Sequence, residues 1–305
     1  MWKMKQSYIS CEICPRTCKV NRENGQMGVC KVSSNLKVSR AALHFWEESC
    51  ISGSKGSGTV FFSGCALHCV FCQNEQISRG LAGKEISPER LVDIFLELQE
   101  KGANNINLVT AGQYVPHIIW SVEQARNQGL SLPIVYNTSS YEKVDTLKQL
   151  EGIVDVYLPD FKYFSPELAA RYSKAPDYPE VAKAAIAEMV RQQPKPIFYE
   201  NEGQELMKNG VIVRQLLLPG QLQDAKQIIK YLHDTYGEQI YLSLMSQFTP
   251  LPHVENYSEL NRKVSKRTYE KYVDYAIEIG VENGFIQEGE AAEESFIPAF
   301  NGEGV

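Results

Sequence analysis

The feature that most constrains this chain is the distribution of its eight cysteines, all of which lie within the first 72 residues. Three of them, Cys65, Cys69 and Cys72, share one short loop directly after a strand-like run at residues 59–62. Three thiolates at this spacing can bind three irons of a cubane cluster and leave the fourth iron without a protein ligand. A structural zinc site is the alternative, but it normally takes four protein ligands. The spacing therefore favours a [4Fe–4S] cluster with one open iron.

A second group of cysteines precedes this loop, and it predicts a second metal site. Turn-forming residues at Asn24-Gly25 and at Gly28 suit a compact knuckle whose backbone wraps a metal. Four thiolates fit either a structural zinc ion or an iron–sulfur electron relay, and the spacing does not decide between them. The four candidate ligands are Cys11, Cys14, Cys18 and Cys30. The eighth cysteine, Cys50, stands alone and is expected to be a small buried hydrophobic residue.

Composition and charge exclude several classes of protein. No stretch approaches the roughly 20 apolar residues of a membrane span, and the basic start lacks the apolar region of a secretory signal. We therefore expect a cytoplasmic protein without a membrane partner, in which the cysteines bind metal and form no disulfides. Residues 1–40 carry a formal charge of +6 and the remainder −12. Because this basic segment lacks interleaved aromatic residues, we expect it to compensate bound thiolates rather than to bind nucleic acid.

Strand and helix patterns alternate from residue 59 onward and define the fold class. Ser87-Pro88, for example, is a helix start followed by an apolar stripe that ends near Gly102. Six right-handed βα units predict an α/β fold, a partial (β/α)6 barrel over residues 53–284. The cysteine-rich segment, residues 1–52, precedes it, and a C-terminal extension, residues 285–305, is expected to pack on the barrel. Residues 53–58 are glycine-rich, lack the register of a phosphate-binding loop and predict a flexible lead into the first strand. The six strands are predicted at 59–62, 106–109, 133–136, 154–158, 211–218 and 241–245.

The cysteine loop resembles the signature of the radical S-adenosylmethionine (SAM) superfamily, which is CxxxCxxC with an aromatic residue, here Phe71, before the last cysteine. The resemblance implies that SAM chelates the open iron of a [4Fe–4S] cluster. One-electron reduction then cleaves SAM to methionine and a 5′-deoxyadenosyl radical. The knuckle is similar to those of uncharacterised radical SAM proteins grouped with the pyruvate formate-lyase activating enzyme. This likeness extends over nearly the whole chain, to residues 285–287.

Further site residues are predicted at the strand ends, because barrel enzymes place their chemistry in the loops after the strands. The loop after the second strand occupies the place of the family's Gly-Gly-Glu motif, which binds the amino group of SAM, although this chain lacks the carboxylate. Asn137 matches a polar residue near the ribose. The residues assigned to cofactor binding are Phe71, Thr110, Ala111, Gly112, Gln113, Asn137, Ser139 and Gln215.

Three charged residues are predicted to be catalytic. Asp160-Phe161-Lys162 resembles the Asp-Leu-Lys motif of glycyl-radical-enzyme activases, and residues i and i+2 of a strand face the same way. The lysine would neutralise the SAM carboxylate or bind the substrate. Arg214 lies within an apolar strand, where an unpaired charge is costly. We therefore expect it to pair with a carboxylate of SAM or of the substrate.

The sequence thus predicts a radical SAM enzyme that abstracts hydrogen from its substrate. As an activase it would act on a backbone glycine of a partner enzyme. The alternatives are an enzyme that modifies a small molecule or peptide, and a non-catalytic iron–sulfur electron carrier or redox sensor. The expected partners are an electron donor, such as flavodoxin or ferredoxin, and a protein or peptide substrate.

Overall fold

A ten-stranded sheet organises the part of the chain that the computed structural model describes, residues 2–287 and 298–305. Along the sheet the strands follow the order β10-β9-β8-β6-β5-β4-β2-β1-β3, and β7 pairs with β8. The strands are β1 (Leu36–His44), β2 (Ser57–Phe62), β3 (Lys84–Ile86), β4 (Ile106–Val109), β5 (Ile134–Thr138), β6 (Val156–Pro159), β7 (Ile197–Asn201), β8 (Gln204–Leu216), β9 (Tyr241–Met245) and β10 (Gly284–Gln287).

The pairing confirms the predicted α/β class with a parallel sheet. From β2 through β4, β5, β6, β8 and β9 to β10, every neighbouring pair is parallel. The antiparallel strands β1 and β3 extend one edge, and β7 forms a hairpin with β8. The sequence predicted six parallel strands, and β10 adds another. Residues 284–287 therefore belong to the sheet, whereas the prediction began the C-terminal extension at residue 285.

Helices connect the parallel strands, and local sequence explains where they begin. In α4 the Ser87 hydroxyl accepts a hydrogen bond from the Arg90 amide at 3.1 Å, and Pro88 occupies the first turn. The apolar stripe of α4, including Leu91 and Phe95, is buried as its spacing predicts. The helices are α1 (Trp2–Ile9), α2 (Ser49–Ser52), α3 (Glu75–Ser78), α4 (Pro88–Glu100), α5 (Val115–Asn127), α6 (Val144–Leu147), α7 (Pro166–Ser173), α8 (Tyr178–Gln192), α9 (Leu222–Tyr236) and α10 (Lys266–Glu278).

Side chains alternate between the two faces of the sheet, and this alternation positions the site. Tyr136 and Tyr157 belong to the large core cluster that includes the apolar residues of the helices. Their neighbours Val135 and Val156 point the other way and form a second cluster with Ile51 of α2. The short helix α2 thus covers the N-terminal halves of the inner strands. The inner face beyond them, toward the carboxyl ends, is left for polar residues.

The glycine-rich stretch 53–58 is more ordered than the sequence suggested. Ser57 and Gly58 are buried and belong to β2. A Cβ at Gly58 would lie 2.8 Å from the Asn105 carbonyl oxygen, so this close strand approach requires glycine. The last two residues of this stretch are therefore part of the sheet, and the stretch is not simply a flexible lead.

Two arginines attach the knuckle, residues 11–30, to the barrel. Arg22 is 1% exposed and donates to the carbonyls of Ser33 at 2.7 Å and Gln113 at 2.9 Å. Its guanidinium lies 4.8 Å from the ring centre of Tyr8, in cation–π contact. Arg16 donates to the carbonyl oxygen of Ala66 at 2.9 Å, within the cysteine loop, residues 63–72. The knuckle is thus fixed directly behind that loop.

The C-terminal residues 298–305 pack along β1. The Ala41 amide donates to the Glu303 carbonyl at 2.8 Å, the Gly302 amide donates to the Ser39 carbonyl at 3.0 Å, and Arg40 pairs with the Glu303 carboxylate at 2.6 Å. Residues 288–297 of the predicted extension lie outside the described residues. Across the described ranges, no helix is both long and apolar enough to cross a membrane.

Replacing Arg22 should destabilise the whole fold, because its buried guanidinium links the knuckle to the carbonyl of Ser33, before β1, and to the carbonyl of Gln113 in the barrel. We expect Arg22→Ala to lower the free energy of unfolding by roughly 2–4 kcal/mol, measured by anaerobic chemical denaturation. Arg79→Ala, which removes an exposed ion pair with Glu75, is the control and should stay within about 0.5 kcal/mol of wild type. Equal stability of both variants would contradict this anchoring role.

Candidate active site

One cavity of about 720 Å³ lies at the carboxyl ends of the inner strands. Its volume falls in the range of roughly 300–1,000 Å³ that small-molecule sites occupy. All three cysteines of the loop line it, together with residues from the ends of β4, β5, β6 and β8. The predicted site residues that line this cavity are Cys65, Cys69, Cys72, Phe71, Thr110, Asn137, Ser139, Asp160, Lys162 and Arg214. The structure therefore brings together most of the site that the sequence predicted.

The cysteine loop presents its thiols with hydrogen-bond donors beside them. The Ser173 hydroxyl donates to the Cys69 sulfur at 3.0 Å, and the Leu67 amide donates to the Cys65 sulfur at 3.4 Å. Burial raises the pKa of the Cys65 thiol, and it raises that of Cys72 to about 12. Thiols in this setting are protonated until a metal displaces the proton. Donors aimed at sulfur are the kind of contact that tunes a thiolate-bound cluster.

The donor set of the loop fits an iron–sulfur cubane. Within the described ranges, no three His, Cys, Asp or Glu side chains converge on a single metal ion. A cubane does not require such convergence, since each of three thiolates binds a different iron. Cys65, Cys69 and Cys72 meet this requirement because they line one cavity wall, and Lys162 supplies a nearby positive charge.

The knuckle cysteines lie behind the loop. Cys14 and Cys30 line a small cavity of about 30 Å³ together with Cys65. The Cys18 sulfur accepts from the Val29 amide at 3.4 Å, and the Cys11 sulfur lies 3.7 Å from a guanidinium nitrogen of Arg22. These contacts place all four thiols in one segment against the barrel, where the second metal site stays a prediction. His68 joins the two segments, since its Nε2 lies 2.6 Å from the Val29 carbonyl oxygen.

A partly buried network of charges centres on Arg214. Its guanidinium donates to Asp160 Oδ1 at 2.9 Å, to Glu47 Oε2 at 3.0 Å and to Asn137 Oδ1 at 2.6 Å. Arg214 was expected to pair with a carboxylate of SAM or substrate. Its carboxylate partners in the structure are instead residues of the protein itself. Arg214 is therefore placed to position Asp160 and Asn137.

Lys162 extends this network toward the cysteine loop. Its Nζ donates to Asp160 Oδ2 at 2.7 Å. Burial disfavours the charged lysine, but Asp160 and the nearby Cys69 and Cys72 outweigh it and raise the Lys162 pKa. Burial likewise acts against the Asp160 carboxylate, yet Lys162 and Arg214 hold its pKa below the ordinary value. Both residues therefore keep their charges over the physiological pH range.

The loop after β4 contributes less side-chain chemistry than the sequence suggested. Thr110 lines the cavity in a left-handed conformation, with φ 58°. Gln113 instead donates to the carbonyls of Ser63, Gly64 and Thr110 and holds the cysteine loop in place. Ala111 is fully buried in the apolar core. The structure thus leaves Thr110 as the side chain of this loop that faces the cavity.

Gly112 and Gln215 also lie apart from the large cavity. Gly112 lines the small cavity, where a Cβ would lie 2.5 Å from a carboxylate oxygen of Glu142. Burial raises the pKa of Glu142 to about 7. Gln215 donates to the Leu216 carbonyl and accepts from the Tyr272 hydroxyl on α10. Gln215 is not among the described residues that line the large cavity, and its role in cofactor binding stays a prediction.

Sequence reasoning missed three carboxylates near the site. Glu47 and Glu48 line the cavity from the segment between β1 and α2, and Glu142 lies behind the loop after β5. Glu142 does lie in the loop after a parallel strand, four residues beyond the end of β5, whereas the segment of Glu47 and Glu48 precedes α2 and does not follow the strand-end pattern. The only sequence signal is that two adjacent acids end the run between β1 and Cys50.

Comparison with known proteins agrees with this site. Residues 59–196 match the family model of the Radical SAM superfamily. An uncharacterized protein of Methanocaldococcus jannaschii is 28% identical over 279 residues, which cover 89% of this chain and 75% of that protein.

Solved structures of low sequence identity share the fold. The FeFe-hydrogenase maturase HydG from Carboxydothermus hydrogenoformans has a TM-score of 0.50 at 14% identity, over 79% of this chain and 55% of that chain. Streptococcus suis SuiB, bound to the precursor peptide SuiA, has a TM-score of 0.50 at 10% identity, over 74% of this chain and 47% of that chain. The chain spans about half the length of these solved proteins. The part of the chain that matches the Radical SAM superfamily model, residues 59–196, contains the cysteine loop and the ends of β4, β5 and β6 that line the cavity.

Proposed function

We propose that this protein cleaves SAM reductively and uses the product to abstract hydrogen from a substrate. The observation that carries the proposal is the placement of Cys65, Cys69 and Cys72 on the wall of one cavity. When bound, a [4Fe–4S] cluster with SAM at its open iron would supply an electron to the sulfonium bond and yield a 5′-deoxyadenosyl radical. The protein supplies orientation and the cavity in which the reaction takes place.

The charged residues have distinct roles in this proposal. Lys162 lies between Asp160 and the cysteine sulfurs, where it can neutralise thiolate charge and hold the SAM carboxylate. Arg214 is a positioning residue, because its three donors hold protein groups. Thr110 and Ser139 offer hydroxyls to the polar part of SAM, and Phe71 offers an aromatic wall.

Two kinds of substrate fit the cavity. Its far end is charged, which supports a small molecule or peptide with a polar group. Its rim is apolar, since Phe45 and Trp46 are 49% and 57% exposed, and this supports docking of a protein loop, as a glycyl-radical activase would require. SuiB is bound to a precursor peptide, which is in keeping with a peptide substrate on this fold. We favour the small-molecule or peptide substrate, because a backbone glycine offers no group for the charged end.

Two further components belong to the proposal. An external one-electron donor such as flavodoxin or ferredoxin is needed, because no side chain of the site can supply low-potential electrons. The knuckle cysteines Cys11, Cys14, Cys18 and Cys30 would hold a second metal, and because no three of these described thiols converge on one ion, an iron–sulfur cluster fits them better than a single zinc ion. Their position directly behind Cys65 is what supports this assignment.

Removal of the loop cysteines should abolish SAM cleavage. A Cys65→Ala, Cys69→Ala, Cys72→Ala variant is expected to lose the iron–sulfur absorption of its cluster and all 5′-deoxyadenosine above background after anaerobic reconstitution and dithionite reduction. Cys50→Ala is the control, because Cys50 packs in the inner apolar cluster, and it should retain cluster and activity. No 5′-deoxyadenosine from wild type with an intact cluster would contradict the proposal and favour an electron carrier.

Lys162 should raise the reduction potential of the cluster, because its positive charge stabilises the reduced form. We expect Lys162→Met to lower the midpoint potential by an amount on the order of 50 mV in an EPR-monitored redox titration. Lys230→Met, at an exposed site on α9, should leave the potential unchanged. An equal potential in all three proteins would show that Lys162 does not act on the cluster.

The knuckle should hold metal independently of the loop. A variant with all four knuckle cysteines replaced by serine is expected to lose the metal that wild type binds beyond about four irons. The triple loop variant should show the reciprocal result and keep the knuckle metal. Elemental analysis of both proteins gives the metal and its amount. An unchanged metal content in the knuckle variant would show that the knuckle binds no metal.

A further inference from the structure

Glu48 is a buried carboxylate that the proposed chemistry does not use. It lines the large cavity and is 3% exposed. Among the residues that the structure describes, no donor lies within hydrogen-bond distance of either carboxylate oxygen, and the adjacent Ser243 hydroxyl, itself unpaired at that distance, can donate to only one of the two. Leaving a buried carboxylate unpaired costs considerable free energy, so such a group signals a missing partner.

The neighbouring charges are already engaged and do not neutralise Glu48. The three donor groups of Arg214 contact Asp160, Glu47 and Asn137, and Lys162 contacts Asp160. The cavity wall thus carries the acids Glu47, Glu48 and Asp160 against two bases. One negative charge is not balanced. It is assigned to Glu48, because Asp160 and Glu47 contact the two bases and Glu48 does not.

The groups that face Glu48 come from several elements. Arg214 of β8 attracts the Glu48 carboxylate, and the adjacent Glu47 repels it. The Ser243 hydroxyl of β9 lies beside it, and its charge acts on the Cys50 thiol of α2. Burial is the largest influence and raises the pKa of Glu48, and Glu47 adds to this, whereas Arg214 opposes it. Glu48 therefore keeps its proton to a higher pH than an ordinary glutamate, and a cation beside it would oppose this shift.

A series of charged groups separates Glu48 from the cysteine loop within the cavity. Lys162 is the charged group next to Cys69 and Cys72. Lys162 contacts Asp160, and Asp160 in turn contacts Arg214. Glu48 neighbours Arg214 at the far side of this chain of charges. A molecule bound at the cysteine loop therefore leaves the Glu48 end for a second molecule.

We propose that Glu48 binds a cationic nitrogen group of the substrate, a protonated amine or a guanidine. The inference rests on the proposed function only in that it calls the second molecule the substrate. A cation would satisfy both carboxylate oxygens and balance the wall charge, whereas a neutral alcohol would leave the charge and a carboxylate would be repelled. Trp46, Phe285 and Met245 also line the cavity and suit an alkyl stem that carries the cation.

The same chemistry has two sources, and the probes separate them. n-Butylamine and n-butylguanidine represent small molecules, and Nα-acetyl-arginine methylamide represents a peptide side chain. n-Butanol and butyrate are the neutral and anionic controls. Calorimetric titrations would use the cluster-loaded protein with SAM and without reductant, at about pH 8, where amines and guanidines stay charged.

We expect the cationic probes to bind, and the two controls to bind at least about tenfold more weakly. Glu48→Gln should weaken the cationic probes at least about tenfold, whereas Glu100→Gln, an exposed acid at the end of α4, should not. Tight binding of only the acetyl-arginine probe would identify a peptide substrate. Equal binding of neutral and cationic probes, or full affinity in Glu48→Gln, would overturn the proposal.

A pH series on wild type tests the proposal even where Glu48→Gln fails to fold. The affinity for n-butylguanidine should rise with pH as Glu48 loses its proton, and it should become constant above the raised pKa of Glu48. A constant affinity from about pH 5 to pH 9 would overturn the proposal. These titrations require no turnover. Cation binding without SAM cleavage would therefore support the Glu48 site and contradict the proposed enzyme activity. SAM cleavage without cation binding would contradict only the Glu48 site.

Discussion

The ion pair between Arg214 and Asp160 is the interaction on which the arrangement of the site depends. Two strands that are neighbours in the sheet, β6 and β8, bring these residues to 2.9 Å inside the cavity. Once Arg214 is buried, its remaining donors need acceptors, and Glu47 and Asn137 supply them. The segment before α2 is thereby held against β5 and β8. One buried cation thus fixes the positions of three separate elements around the cavity.

A second buried cation does the corresponding work behind the site. The charge of Arg22 is met by carbonyl oxygens and by the faces of Tyr8 and Tyr114. One of those carbonyls belongs to Gln113, whose side chain holds the cysteine loop through Ser63 and Gly64. The knuckle, the loop after β4 and the cysteine loop are therefore linked by polar contacts. A change in the knuckle can reach the cysteines of the cavity through them.

The sequence predicted the parts of this structure that follow from local pattern. The cysteine spacing and the alternation of strands set the loop at the end of β2, and i, i+2 spacing correctly placed Asp160 and Lys162 together. Glu47 and Glu48 could not be found this way, because their segment enters the barrel through long-range contacts. Gln113 and Gln215 show the converse limit. Each is polar and near a strand end, but hydrogen bonds to backbone or to Tyr272 direct it away from the cavity.

The distribution of charge along the cavity fits the two ligands that we propose for it. Thiolate-ligated clusters carry negative charge, and the Glu47–Glu48 end is also acidic, while Lys162 and Arg214 lie between the two ends. Both cations are held by Asp160, so neither can move toward one end without losing a buried partner. Each end therefore keeps its own electrostatic field. The cysteine end suits SAM, with its sulfonium and amino groups, and the Glu47–Glu48 end suits a nitrogen cation. This separation would hold the two molecules in a fixed order along the cavity, as hydrogen abstraction between them requires.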